Sequence, residues 1–241
     1  MNASAIIFDI DWAPDFMVRL CMDICRKHRA AATFFATHPS DTLSEIENDQ
    51  LFELGIHPNF MAGSSHGSTL EEVMDYCQRL VPNARSMRTH GLYQHTRLFQ
   101  LVVSAYPKIK TDVSFFLPGH RNLAPVEWCF GDRDRKLVRL ANFWDDYYSA
   151  GLPKYNWEDE APSDGIRIFA FHPVHVAMNT ETLAAYETVR QVRRIADIAP
   201  DEVEFLSNKS NRGSRSFLQR LISNQENHPF GKVSELSQSR T

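Results

Sequence analysis

The pattern of hydrophobic and polar positions predicts that strands and helices alternate along the chain. Residues 5–10 form a nearly continuous apolar run, which is typical of a parallel strand buried on both faces. Met17, Cys21 and Ile24 then share one face of a helix that ends near residue 29. The same pattern predicts further strands over residues 31–36, 52–56, 84–89, 113–117, 137–143 and 166–171. It predicts further helices over residues 41–46, 68–80, 96–106, 180–198 and 216–222.

This alternation implies an α/β fold whose parallel sheet is either open or closed into a barrel. A capping box, with Ser68 at the cap and Glu71 three residues later, predicts where the 68–80 helix begins. Residues 147–165 are polar with aromatic residues and prolines, so we expect a long surface loop there. Around residues 231–236 we expect a short strand or a turn.

Composition narrows the class of protein without identifying it. The 241 residues suit one α/β domain, and the net charge of −4 gives no basic surplus that would indicate a nucleic-acid partner. The N-terminal segment lacks the basic region of a signal peptide, and no run approaches the roughly 20 apolar residues of a membrane span. We therefore expect a cytoplasmic protein, with Cys21 and Cys25 packed as thiols in the core.

Polar side chains with catalytic potential follow the predicted strands at the points where these strands end. The carboxyl ends of parallel strands meet at one face of an α/β fold, and active sites form where their loops converge. The sequence therefore predicts an active site at this face. The residues in question are Asp9, Asp11, Thr37, His38, His57, Arg88, His90, Asp145, Asp146, His172 and His175.

Asp9 and Asp11 point to the same side of an extended strand, where two like charges raise each other's pKa. A bound cation or an arginine relieves that repulsion. One carboxylate can therefore bind a metal while the other stays free as a base. Alternatively, Asp11 caps the helix that opens at Pro14.

His57 is either a hydrogen-bonded structural histidine or a metal ligand. Zinc accepts two histidines and one carboxylate and keeps open positions for water. The set Asp11, His57 and His66 would supply these ligands, although His66 comes nine positions after His57, which is not a usual ligand spacing. Asn59 lies nearby as a further polar candidate.

The remaining candidates each have a structural and a chemical interpretation. His172 either ends a strand before Pro173 or acts as a general acid, because imidazole titrates near neutral pH. His175 is a second candidate for contacting substrate. Arg88 either pairs with Asp9 or lies on the surface. Asp145 and Asp146 either join this network or cap a turn.

Five segments, in this order and spacing, resemble the polysaccharide deacetylase family, carbohydrate esterase family 4. They read FDIDWAPD, ATFFATH, ELGIHPN, RTHG and FHPVH, and the likeness runs from about residue 4 to residue 198. It is closest to a divergent branch associated with the biosynthesis of bacterial surface polysaccharide, the O-antigen of lipopolysaccharide. The whole chain, residues 1–241, would then be one catalytic domain, with residues 207–241 as its closing segment.

The resemblance implies a distorted (β/α)7 barrel that binds a divalent metal, usually Zn²⁺. By motif, Asp9 would be the general base, Asp11 and His57 metal ligands, Arg88 the partner of the base and His172 the acid. The family has its second histidine ligand four residues after the first, but Met61 stands there, so His66 is our substitute and Asn59 the reserve. The family's arginine motif continues into Pro and Tyr, whereas this chain has Thr89 and His90.

The implied reaction is metal-dependent removal of an N-acetyl or related acyl group from an amino sugar or saccharide. His90, His175, Asn59, Asp145 and Asp146 are candidates for contacting this substrate. The aromatic residues of the 147–165 loop, namely Tyr147, Tyr148, Tyr155 and Trp157, either stack on sugar rings or pack over the barrel mouth.

Two other functions are open at this point. An apolar strand that ends in Asp-x-Asp also opens phosphatases of the haloacid-dehalogenase type, which would make Asp9 a nucleophile and Asp11 an acid. The missing second histidine of the usual spacing favours instead a decayed deacetylase that binds glycan or protein without catalysis.

Overall fold

The computed structural model describes residues 3–152, 157, 165–224 and 229–237, without the side chains of residues 132–134 and 185. Nine strands lie in these ranges: β1 Ala3–Asp9, β2 Ala32–Ala36, β3 Phe52–Ile56, β4 Ser86–Met87, β5 Thr111–Phe116, β6 Val126–Phe130, β7 Asp132–Asn142, β8 Trp144–Asp145 and β9 Ile166–Phe171. The α-helices are α1 Asp15–Lys27, α2 Thr42–Glu47, α3 Leu70–Leu80, α4 Thr96–Ala105, α5 Asp146–Gly151, α6 Pro173–Met178, α7 Leu183–Val192, α8 Pro200–Leu206, α9 Ser214–Ser223 and α10 Val233–Leu236.

All nine strands form one sheet in the order β6-β7-β5-β4-β3-β2-β1-β9-β8. Every neighbouring pair is parallel except β6 and β7, which form an antiparallel hairpin at one edge. The first strand therefore lies between β2 and the last strand, β9, with Ala3 paired to Ile166. This order places the ends of β1, β3, β4 and β9 on a common face.

The sheet curves around an interior core of its own. Side chains of β1, β2, β5, β7 and β9 meet in one cluster, whose members are Ala5, Ile7, Phe35, Val113, Val138, Leu140, Ile166, Ile168 and Ala170. Ile6 and Phe8 point the opposite way, into the larger core beneath the helices, as strand alternation requires. Strands β7 and β9 thus share the interior without being hydrogen-bonded neighbours. The predicted α/β fold of the barrel type is confirmed, with the barrel left open between its edge strands β8 and β6.

The helices cover the outer face of the sheet and bury its second layer of apolar side chains. Cys21, Cys25 and Cys77 are buried free thiols, so the core interpretation of the first two is confirmed. Among the residues that the structure describes, no helix is both long enough and apolar enough to cross a membrane.

The structure corrects several local expectations. Helix α3 is capped by Thr69 with Glu72, one residue later than the predicted pair. The expected loop at 147–165 begins inside α5, because Asp145 caps that helix. Residues 153–156 and 158–164, including Tyr155, lie outside the described residues. The tail forms the short helix α10 instead of a strand or turn, and strands β6 and β8 were not predicted.

Candidate metal and hydrolytic site

The loop after β1 turns the Asp11 carboxylate back over the end of the sheet. Asp11 and Trp12 have φ angles of +46° and +58°, a left-handed conformation that non-glycine residues adopt only when their surroundings impose it. Here the Trp12 amide donates a 3.1 Å hydrogen bond to Thr37 Oγ1 at the end of β2. Pro14 precedes helix α1 as its N-cap residue and no described side chain caps the helix, so the alternative role of Asp11 as a cap is not supported.

Asp11, His57 and His90 form a cluster with the composition of a metal site. Asp11 Oδ1 lies 3.1 Å from His57 Nε2 and 2.9 Å from His90 Nδ1. One ligand atom from each of the three residues falls within 4.8 Å of the others. Two imidazole nitrogens and a carboxylate suit a divalent transition metal such as zinc.

The electrostatics of this cluster also fit a cation. Burial alone would raise the pKa of Asp11, but hydrogen bonds from His57 and His90 outweigh it and hold that pKa well below its usual range. Burial lowers the pKa of His90, yet its hydrogen bond to Asp11 leaves the pKa raised overall. Asp9 Oδ1 and His57 Nδ1 are buried without a hydrogen-bond partner among the described residues. The cluster therefore offers ligand atoms for a cation on Asp11, His57 and His90. Beside them it offers a carboxylate oxygen, Asp9 Oδ1, that has no hydrogen-bond donor in the described part of the chain.

The structure does not place His66 as a metal ligand. This ring is 4% exposed, its Nδ1 accepts the Asn59 amide at 3.1 Å, and its Nε2 lies 2.7 Å from the Thr37 carbonyl oxygen. With Nδ1 accepting, Nε2 carries the proton and donates it to that carbonyl, so both nitrogens are engaged. The ring also stacks on Tyr76, with centroids 4.5 Å apart. His66 is a structural histidine that holds the loop after β3.

His90, predicted only as a substrate contact, lies beside Asp11 and His57, where His66 was expected. Asn59, the reserve ligand and predicted substrate contact, instead accepts the Met61 amide through Oδ1 at 3.0 Å and so stabilises the turn after β3. His90 follows a predicted strand, but no local signal marks it as a neighbour of His57, because it lies 33 residues later and reaches His57 only through the pairing of β3 with β4.

Arg88 holds the second carboxylate of the pair, as predicted by motif. The Arg88 side chain is 2% exposed, and Nε donates to Asp9 Oδ2 at 2.6 Å. Its other nitrogens donate to the Val113 carbonyl at 2.7 Å, to Asn142 Oδ1 at 3.2 Å and to Asp145 Oδ2 at 3.2 Å. Burial lowers the pKa of Arg88, but the charges of Asp9 and Asp145 outweigh burial and leave that pKa raised overall, so the guanidinium stays charged. Asp9 is thereby kept near the cluster with one oxygen free.

His172 faces both aspartates from the end of β9. Its Nε2 lies 3.7 Å from Asp9 Oδ2 and 3.6 Å from Asp11 Oδ2, while Nδ1 lies 2.7 Å from Asp146 Oδ1. Burial lowers the pKa of His172, but the charge of Asp146 leaves it raised well above its usual value. Ser214, at the start of α9, donates to Asp146 Oδ2 at 2.7 Å. An oriented imidazole whose charged form is favoured therefore points at the site.

Asp145 serves both of its proposed purposes, and Asp146 joins the network. Asp145 Oδ1 accepts the Tyr148 amide at 3.1 Å and caps α5, while its other oxygen accepts from Arg88. Burial raises the pKa of Asp145. Ser214 could not have been found from the sequence, because it lies outside every strand end and carries no motif.

His175 lies behind His172 rather than at an open surface. Its Nδ1 is 3.1 Å from Thr180 Oγ1, and its ring packs against Tyr186 at 4.5 Å. Burial lowers the pKa of His175 to about 4, so it is neutral at pH 7. His175 also forms a second group of potential ligand atoms with Asp146 and His172, but the Asp146 oxygens there are already hydrogen-bonded.

The aromatic residues after β8 divide between packing and exposure. Trp157 is buried against Trp144 and Phe217, and Tyr148 packs edge-on against Phe116. Tyr147 is exposed and lies 6.5 Å from the His172 ring. Of the described members of this set, only Tyr147 is exposed enough for a sugar ring to stack on it.

Comparison with known proteins gives a family match and several similar solved structures. The model of the WbmS-like polysaccharide deacetylases matches residues 6–190. A crystal structure from Bordetella bronchiseptica, described as a polysaccharide deacetylase involved in O-antigen biosynthesis (WbmS), is 33% identical, with a TM-score of 0.78 over 91% of this chain and 89% of that chain. The peptidoglycan deacetylase PdaC from Bacillus subtilis aligns at 14% identity, with a TM-score of 0.48 over 98% of this chain and 89% of that chain. A search of curated proteins found no match.

Proposed function

Because this chain belongs to the WbmS-like polysaccharide deacetylase family, we propose that it hydrolyses an N-acetyl or related acyl group on an amino sugar during surface-polysaccharide biosynthesis. One observation carries the assignment at the level of residues. Asp9, Asp11, His57, His90 and His172 converge at one face of the sheet, where each of the three histidines lies within 4 Å of Asp9, of Asp11 or of both. The donor set of Asp11, His57 and His90 supports metal dependence, with zinc as the expected ion.

Each residue has a distinct part in amide hydrolysis. The bound metal would polarise the acyl carbonyl and lower the pKa of a water molecule. Asp9, held by Arg88, takes a proton from the attacking water as the new C–O bond forms. His172, held by Asp146, donates its Nε2 proton to the leaving nitrogen as the C–N bond breaks. The products are a free amine on the sugar and a carboxylate.

The phosphatase alternative does not account for this arrangement. With Asp9 as a phosphatase nucleophile and Asp11 as its acid, His57, His90 and His172 would have no role, although all three lie against these two aspartates. The binding-module alternative rests on the missing second histidine, and His90 as the second histidine ligand would answer that objection.

Metal analysis of four purified proteins tests the proposal. We expect about one equivalent of zinc in the wild type and in His66→Ala, and loss of that zinc in His57→Ala and His90→Ala, since only the latter two remove ligands. Circular dichroism checks that each variant is folded. A wild type that binds no metal after zinc loading would contradict the proposal, and loss in His66→Ala with retention in His90→Ala would restore the original ligand set.

Catalysis is measured separately, as acetate released from N-acetylated amino-sugar oligosaccharides. Asp9→Asn is expected to keep the metal and to lose at least about 100-fold in kcat, because the general base is removed. Full activity in this variant would exclude Asp9 as the base.

A further inference from the structure

Strand β5 contains a bulge beside the candidate site. Asp112 pairs with Arg139 and Phe115 pairs with Ala141, so three steps along β5 match two steps along β7. A bulge of this kind re-aims the groups of the extra residue and often lies next to an active site. The groups at issue are those of Val113 and Ser114.

A fully buried carboxylate holds the bulge in place. Asp112 is 0% exposed; its Oδ1 accepts hydrogen bonds from the Ser114 amide at 3.2 Å and from Ser114 Oγ at 2.5 Å. Its Oδ2 accepts from Arg139 Nε at 2.8 Å, and the Arg139 guanidinium lies 4.2 Å from the centre of the Phe99 ring. A buried ion pair is weak evidence for stability, since desolvation offsets its attraction. The buried pair of Asp112 and Arg139 is therefore better explained by the groups that it positions than by the stability that it adds.

The bulge presents two acceptors to consecutive residues of the site. The Val113 carbonyl oxygen accepts from Arg88 Nη1 at 2.7 Å, and Ser114 Oγ accepts from the Thr89 amide at 2.8 Å. Arg88 holds Asp9, and the residue after Thr89 is His90, which contacts Asp11. One bulge thus fixes the segment that supplies both the partner of the base and a metal ligand.

We propose that Asp112 and Ser114 are positioning residues, which set Arg88 and His90 through the bulge without touching metal or substrate. This inference rests on the proposed role of His90 as a ligand. Groups that orient metal ligands from behind change metal affinity or activity about 10- to 100-fold when they are removed.

Ser114→Ala tests the inference, with Ser86→Ala as its matched control. Ser86 is also fully buried, and its Oγ donates to Glu53 Oε1 at 2.7 Å, so the same hydroxyl is removed from the adjacent strand β4 without touching Thr89. We expect Ser114→Ala to raise the Kd for zinc about 10- to 100-fold and to lower kcat, whereas Ser86→Ala stays within about twofold of wild type. The Kd is measured by competition with a chromophoric chelator.

Hydrogen exchange of the metal-free protein gives a readout that does not depend on metal or activity. In Ser114→Ala the Thr89 amide loses its acceptor and is expected to exchange about tenfold faster, relative to a core amide of β2. In Ser86→Ala this ratio is expected to be unchanged. Unchanged exchange, Kd and kcat in Ser114→Ala, or equal losses in both variants, would overturn the inference.

A double-mutant comparison tests the part assigned to Asp112. If Asp112 acts through Ser114, then Asp112→Asn raises the Kd in the wild-type background but adds nothing in the Ser114→Ala background. An equal effect in both backgrounds would remove Asp112 from this role. A wild type that binds no zinc would refute the proposed function, while Thr89 exchange would still report on the bulge.

Discussion

At the residue scale, His172 illustrates how one carboxylate sets both the orientation and the pKa of an imidazole. Asp146 accepts from both the backbone amide and the ring of His172, and Ser214 in turn fixes Asp146. The second ring nitrogen is left facing Asp9 and Asp11. The orientation and the charge of the proposed acid therefore come from the same partner.

Replacing that partner should affect the chemical step selectively. We expect Asp146→Asn to lower kcat at least about 100-fold, because His172 loses its orienting charge, and to leave zinc content unchanged. Ser214→Ala, which removes only the hydroxyl behind Asp146, should have a smaller effect in the same acetate-release assay. Unchanged kcat in Asp146→Asn would show that His172 is not the acid.

His175 makes the stability of the protein depend on pH. Its pKa is about 4 in the fold, against about 6.5 in an unfolded chain, so between these values only the unfolded chain takes up the proton. The contribution of neutral His175 to the free energy of unfolding is therefore fully present above about pH 7, and it is lost as the pH falls through about 6.5 toward 4. Asp146, His172, Tyr147, Tyr186 and Thr180 surround the ring.

The effect can be isolated by comparing wild type with His175→Gln in urea unfolding at pH 7 and pH 5. We expect the wild type to lose about 2 kcal/mol more than the variant over this range, from the linkage relation. Equal losses in the two proteins would mean that His175 is protonated in the fold as readily as in the unfolded chain.

The site residues that could be predicted from the sequence are those at or just after the end of a predicted strand. Asp9, Asp11, His57 and His172 each lie at or just after the end of a predicted strand, and the structure places all four together. His90 also follows a predicted strand, but its place beside His57 could not be predicted this way, and His66 was expected there with Asn59 in reserve. Nearness along the chain favoured His66, whereas nearness in space depends on which strand pairs with β3.

At the scale of elements, the start of α3 shows how a local signal can be displaced by one residue. Ser68 and Glu71 match the capping pattern in the sequence, as do Thr69 and Glu72. The structure uses the second pair: Thr69 Oγ1 accepts the Glu72 amide at 3.1 Å, and Glu72 accepts the Thr69 amide at 3.2 Å. Helix α3 carries Tyr76 against His66, so its start also helps to fix the loop after β3.

This assignment predicts a difference between two adjacent substitutions. Thr69→Ala should reduce the free energy of unfolding by about 1 kcal/mol, the usual effect of losing a cap, with zinc affinity unchanged. Ser68→Ala should have less effect, because its hydroxyl only adds to contacts with Glu72 that the backbone already makes. A larger loss in Ser68→Ala, measured by urea unfolding, would favour the pair predicted from the sequence.

At the scale of the whole molecule, the tail completes the interior of the sheet. Val233 and Leu236 of α10 belong to the interior cluster, and the Val233 amide donates to Thr33 Oγ1 of β2 at 3.1 Å. The short run GKVSEL carries too few residues for periodicity to distinguish helix from strand, so its role became visible only with the curved sheet in place. The same holds for β6, whose pairing depends on β7.

Loss of the packing of α10 against the interior of the sheet should destabilise the protein while the candidate site keeps its geometry. Leu236 is 6% exposed, and Leu236→Ala should reduce the free energy of unfolding by about 3 kcal/mol, as for other buried leucines, with kcat unchanged at low temperature. Phe205 is 88% exposed and serves as the control, since Phe205→Ala should change stability by less than about 0.5 kcal/mol. Similar effects in both variants would show that α10 contributes little.

The pairing of β1 with β9 has a consequence for how the chain is made. The strand that carries Asp9 is synthesised before the other strands of the sheet, yet one of its two edges has no partner until β9 follows, about 160 residues later. Throughout that interval the nascent chain displays an apolar strand edge of the kind that recruits other chains. Contacts so distant in sequence also slow folding, because the loop between them must close first. Assembly of the site is therefore a late event in synthesis, and cells that overproduce this chain are expected to lose part of it to aggregation before any catalysis begins.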